Sequence, residues 1–180
     1  MKNNQSGRSM VEMLGVLAII GVLSAGGLAG YSKAMFKHKL NSTMDQLTML
    51  VTNIRTMYGT QESYRGLSVS QACNLGIIPQ HSYQNGRMIN PFKGEVEIQS
   101  ASAINRVKDS AFIITLKGLP KGACVALATA DWGRGYIGVK VNDGFWSAEF
   151  TGDPNEGSPY NMGNARYHCS DWSTVQLKFY

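Results

Sequence analysis

The chain has 180 residues, a formal net charge of +5 and hydrophobic residues at 43%. That length suffices for one domain with a core of its own. The basic residues are scattered, with Lys33, Lys37 and Lys39 as the one local group. No basic block of nucleic-acid type is present, so no specific nucleic acid is expected as a partner and the charge reads as a solvated surface. Three cysteines, Cys73, Cys124 and Cys169, form no CxxC pair and have no His at metal-ligand spacing, which argues against zinc.

Residues 1–7, MKNNQSG, are short and polar. The segment RSMVEMLGVLAIIGVLSAGGLAGYSK follows, with no charge between Glu12 and Lys33. That interval is about 20 residues, the length at which a helix spans the hydrocarbon core of a bilayer. Three readings compete: a secretory signal peptide cut near Ser24-Ala25-Gly26, a plain membrane anchor, and a short leader cut before the apolar run. Glu12 decides among them. A carboxylate at the mouth of a membrane helix is costly unless paired, and a signal peptide has no use for it.

Gly7 lies just before Arg8, and Glu12 is the fifth residue counting from Arg8. Together with the uncharged run Met13 to Ala29, this resembles the type IV prepilin signature. The resemblance implies a leader over residues 1–7, removed by a prepilin peptidase between Gly7 and Arg8, with methylation of the new amine. It also implies assembly through Arg8 and Glu12 into a filament of copies of the chain. The partners it implies are therefore the chain itself, the peptidase, the inner membrane before assembly, and the pilus assembly machinery. Most family members carry Phe or Met where this chain has Arg8.

The helical pattern continues past Lys33. Leu40, Met44, Leu47, Val51, Ile54 and Tyr58 recur at three- and four-residue spacing, with Lys37, Asn41, Asp45 and Gln46 off that stripe. One helix is expected from about Ser9 to Tyr58, roughly 75 Å long, with Gly59 ending it. Residues 8–32 would be its membrane and filament-core half, and residues 33–58 its amphipathic half. Gly26, Gly27 and Gly30 mark the junction, read as a soft point in preference to a close helix contact.

Residues 59–180 are expected to form an α+β head. Thr60 to Gly94 is loop-rich, with a short helix within Leu67 to Leu75. Val96 and Ile98 mark a strand, Ala111 to Leu116 a second one, and Gly122 to Thr129 a helix with Pro120 in its first turn. Tyr136 to Val141 and Phe145 to Phe150 flank the turn signal Asn142-Asp143-Gly144. Ser173 to Phe179 alternates as the last strand. A long helix followed by an antiparallel sheet is the order expected.

Two stretches of the head resemble the type IVb branch, including thin-pilus pilins of conjugative plasmids. One is Leu75-Gly76-Ile77-Ile78-Pro79 with Asn90-Pro91-Phe92-Lys93-Gly94. The other is Gly118-Leu119-Pro120 with Cys124, and Cys169 near the C-terminus. This implies a Cys124–Cys169 disulfide, with Cys73 left free and buried. Thr151 to His168 has no such anchor.

Other chemistry is weaker. Asp131, Asp143, Asp153, Glu156 and Asp171 lack calcium-loop spacing and suit turns better. His38, His81 and His168 accompany no nucleophile motif, and no P-loop or GxGxxG occurs, so neither an enzyme nor a cofactor or metal is expected. Trp132, Trp146 and Trp172 read as core or interface. The expected function is a structural subunit of a type IV pilus, serving adhesion, aggregation, motility or conjugation. The alternatives are a minor pilin or secretion-system pseudopilin, and a membrane-anchored binding domain that does not polymerise.

Overall fold

The computed structural model describes residues 6–79, 82–103, 107–147 and 159–180, with side chains from residue 10 onward. It divides after Asn41 into a helical arm and a head that begins at Ser42. Helix α1 runs without interruption over Ser6–Tyr58. It is helical through Gly26, Gly27 and Gly30, with open space around each. It stops at Gly59, where a Cβ would stand 2.8 Å from the Arg55 carbonyl oxygen, so only glycine fits the exit.

Within the head, α1 buries Leu47, Leu50, Val51, Ile54 and Tyr58. These fall on one side of the helix at the spacing read from the sequence. Gln46 does not lie clear of that stripe. It is half-buried, and its amide nitrogen reaches the Ile89 carbonyl at 3.5 Å.

Among the described residues, six strands form one antiparallel sheet: β1 (Tyr83–Gln84), β2 (Arg87–Ile89), β3 (Glu95–Ala101), β4 (Ala111–Leu119), β5 (Tyr136–Val141) and β6 (Ser173–Phe179). Their order is β1-β2-β3-β4-β6-β5, so the last strand inserts between β4 and β5. Register is fixed by apolar partners: Ile114 faces Ile98 on one side and Leu177 on the other, and Val141 faces Val175. In β6, Ser173, Val175, Leu177 and Phe179 are buried while Thr174, Gln176 and Lys178 are half-buried, the alternation of a strand with one inward face. β4 is buried from Ala111 through Leu116, as its central place demands.

Among the described residues, three helices are short: α2 (Val69–Asn74), α3 (Lys121–Thr129) and α4 (Met162–His168). Ser68 caps α2 by accepting the Gln71 N–H, and Asn161 caps α4 by accepting the Asn164 N–H. Pro120 sits at the N-cap of α3 instead of inside its first turn. A row of aromatic rings joins the end of α1 to the sheet: Tyr58 to Tyr64 (5.6 Å), Tyr64 to Phe112 (4.9 Å), Phe112 to Phe179 (5.6 Å) and Phe179 to Tyr136 (5.7 Å).

The turn after β5 is present, with the Gly144 N–H donating to the Val141 carbonyl at 2.9 Å and Asn142 at φ +49°. The strand expected over Phe145 to Phe150 is not formed by residues 145–147, and 148–150 lie outside the described residues. Ser147 explains the break. Its N–H donates to the Val139 carbonyl, but its hydroxyl takes the Val139 N–H, so a side chain stands where a backbone acceptor would continue a ladder.

Candidate processing and assembly site

The first turn of α1 contains Gly7 and Arg8, and Glu12 follows one turn later, exposed. On both sides of it the arm is apolar and open. Met10, Leu14, Leu17, Leu23 and Leu28 are 62–71% exposed. A helix that is apolar and bare needs either lipid or other helices around it, and this segment is long enough to cross a membrane. Lys33 and Lys37 close its far end in exposed positions.

The head is built to stay together. Cys124 in α3 and Cys169, directly after α4, form a disulfide with Cα atoms 5.8 Å apart, 45 residues apart in sequence. Cys73 is free, but it is half-buried instead of buried, because Ala72 is the member of α2 that faces the core. Around the disulfide, Asn142 donates to the His168 carbonyl at 2.8 Å and accepts the Thr174 N–H at 2.8 Å. Ser173 both accepts from the Ser170 N–H and donates to its carbonyl.

The segment Asn90 to Gly94 has a structural task. Asn90 is buried. Its side-chain oxygen accepts the Phe92 and Gly94 N–H groups, and its nitrogen donates to the Lys117 carbonyl at 2.9 Å. A Cβ on Gly94 would lie 1.7 Å from that carbonyl oxygen. The loop therefore seats on β4 where the ladder to β6 is irregular, between Leu116 and Leu119.

Among the described residues, no three His, Cys, Asp or Glu side chains gather as a metal site. Asp131 accepts the Gly133 N–H and Asp171 accepts the Lys121 N–H, both as turn and cap residues; Asp153 and Glu156 lie outside the described residues. Trp132 donates to the Leu127 carbonyl, and Trp146 lies under the Lys178 ammonium at 4.5 Å. Trp172 is 82% exposed.

The family model of bundlin matches residues 33–177. The chain belongs to the bundlin family. Over 143 residues this pilin is 31% identical to the major structural subunit of the bundle-forming pilus of Escherichia coli O127:H6. The match spans 78% of this chain and 72% of that relative. The toxin coregulated pilin of Vibrio cholerae is 24% identical over 150 residues, covering 82% and 66% of the two chains. The fold resembles the type IVb pilin of Salmonella typhi (TM-score 0.56, 18% identity, 76% of this chain and 97% of the other). It also resembles TcpA of V. cholerae El Tor (TM-score 0.55, 18% identity, 79% and 99%). The pilin is of the type IVb kind and is a structural subunit of a type IV pilus. The matched family region begins at residue 33, just past the uncharged run.

Proposed function

We propose that the chain enters the bacterial inner membrane through residues 8–32, is cut by a prepilin peptidase between Gly7 and Arg8, and is passed by the assembly machinery into a surface filament of its own copies. The observation that carries this is Glu12, one turn from Arg8 at the start of an exposed, uncharged helix. A carboxylate inside an apolar bundle costs several kcal/mol unless paired. Cleavage would create one new charge nearby, the amine of Arg8. In a staggered bundle, the amine of an incoming copy reaches Glu12 of its neighbour. Apolar packing then holds the filament, and the ion pair rewards one axial register, because a slip of a turn strands both charges. The Arg8 guanidinium adds a second cation at the same place, so Arg8→Phe is expected to be tolerated.

The test is Glu12→Ala. The precursor should still be cut and inserted, while filaments are lost or greatly reduced in electron micrographs and in immunoblots of sheared fractions. Near-normal filaments from Glu12→Ala cells would mean that Glu12 only marks the membrane boundary.

A further inference from the structure

Asp171 and Trp172 are the middle residues of a turn from Ser170 to Ser173. The Ser173 hydroxyl closes it, accepting the Ser170 N–H at 2.9 Å and donating to the Ser170 carbonyl at 2.7 Å. Trp172 sits there at φ +66°. That is left-handed backbone, which turns give to Gly or Asn and which strains a bulky side chain. The ring gains no burial in return, being 82% exposed. Strain without a packing reward points to a use for the side chain.

Beside the ring is a hollow of about 330 Å³ lined by Phe92, Gly118, Pro120, Asp171 and Trp172, at the small end of ligand sites. Its parts are held in place. Gly118 lets the chain segments close up, since a Cβ there would lie 3.2 Å from the Gly94 Cα and 3.9 Å from the Trp172 ring. The Phe92 backbone is fixed by Asn90, which accepts its N–H at 2.9 Å. Asp171 is fixed through Oδ1, which accepts the Lys121 N–H at 3.1 Å. A carboxylate has a second oxygen to offer.

The lining decides the chemistry. Phe92, Trp172, Pro120 and Gly118 are apolar, and the ionised side chain among them is a carboxylate. Such a site favours a cation, and a cation that tolerates apolar walls. A primary ammonium brings three N–H donors and a sugar brings several hydroxyls. Both would lose hydration here for few partners. A quaternary ammonium has no N–H to satisfy, carries its charge under a shell of methyl groups, and is drawn to the face of an indole ring. We propose that the hollow between Phe92, Pro120 and Trp172 binds a quaternary ammonium group, of the trimethylammonium kind in choline and its phosphate esters. The Trp172 ring takes the methyl groups and Asp171 balances the charge. The site belongs to the head and does not rest on cleavage before Arg8 or on Glu12. Every copy in a pilus carries it, so weak single sites can act together.

The experiment is calorimetric titration of the full chain, dispersed in a detergent without a choline head group, with choline at constant ionic strength. Binding is expected with a dissociation constant of about 1 mM, in keeping with so small a ligand. The uncharged carbon isostere of choline, neohexyl alcohol, should bind weaker by about tenfold or more, since it lacks the charge. Trp172→Ala should weaken choline by about tenfold or more without lowering the melting midpoint. Asp171→Asn, which keeps an oxygen for the Lys121 N–H, should weaken choline and leave the isostere unchanged. Phosphocholine and phosphatidylcholine vesicles, run beside phosphatidylglycerol vesicles, separate the sources: selective vesicle binding puts the ligand on a lipid surface, and binding of choline alone puts it in solution. No heat from choline, equal affinity for the isostere, or full choline affinity in Trp172→Ala overturns the inference. So does a methyl glycoside that binds while choline does not. So does a Trp172 ring that is open to acrylamide in dispersed subunits and shielded in filaments, because a neighbouring copy would then fill the hollow.

Discussion

Arg55 in α1 donates from Nε to the backbone oxygen of Tyr180 at 2.8 Å, tying the long helix to a residue 125 positions away. Its guanidinium also lies 5.7 Å above the ring of Phe179. Gly135 makes the space: it adopts φ +77°, and a Cβ there would stand 2.3 Å from the Arg55 guanidinium. Tyr180 in turn donates its N–H to the Gly135 carbonyl at 3.0 Å. Replacing Arg55 by Met keeps much of the stem and removes a charged hydrogen bond. The head should lose about 2 kcal/mol in urea denaturation. An unchanged midpoint would show that the contact adds nothing to stability.

Asn90 gives a second stability test. Three backbone groups depend on its side chain. Asn90→Ala should cost about 3 kcal/mol, since buried groups lose their partners. Gly94→Ala should cost more, because a Cβ meets the Lys117 carbonyl at 1.7 Å and that carbonyl belongs to the sheet. Thermal melting of both variants would rank them. The reverse order would mean that the loop can lift off the sheet.

Reduction of Cys124–Cys169 should destabilise the head strongly. The bond closes a segment of 45 residues, for which the chain-entropy model gives about 4 kcal/mol. Denaturation with and without reductant measures it. Cys73→Ser, at a free and half-buried position, should leave the difference intact.

Tyr136 sets an alkaline limit. Burial raises its hydroxyl well above the ordinary tyrosine value, and neighbouring Ser147 offsets part of that. Among the described residues, no group meets hydrogen-bond geometry with the buried hydroxyl. The unfolded chain loses this proton near pH 10, about the ordinary tyrosine value, while the folded chain holds it. The contribution is therefore complete below about pH 10 and is lost as pH rises toward the folded value. The melting temperature should fall above that pH, and Tyr136→Phe should flatten the fall. Identical profiles would rule out Tyr136 as the cause.

Much of this architecture was readable in the sequence where one periodicity acted alone. Val175, Leu177 and Phe179 alternate and form β6 as expected; Leu47, Val51 and Ile54 mark the buried side of α1. The hairpin of β1 and β2 was not seen, because strands of two and three residues have no periodicity. Its signal is Asn85-Gly86, which takes φ +50° and +81° between them. Helix α4 hides in a polar stretch and is announced only by Asn161 at its cap. The strand expected after Gly144 is not taken up at residues 145–147, where a serine hydroxyl replaces a backbone acceptor. At the site, Glu12 stood out as a charge at the mouth of an apolar run.

Cleavage before Arg8, as proposed, would leave a new amine that sets the register of a filament together with Glu12. N-terminal mass spectrometry of sheared surface material tests it most directly. The mature chain is expected to begin at Arg8 with a methylated amine. A chain beginning at Met1, or after Ala25, would contradict it.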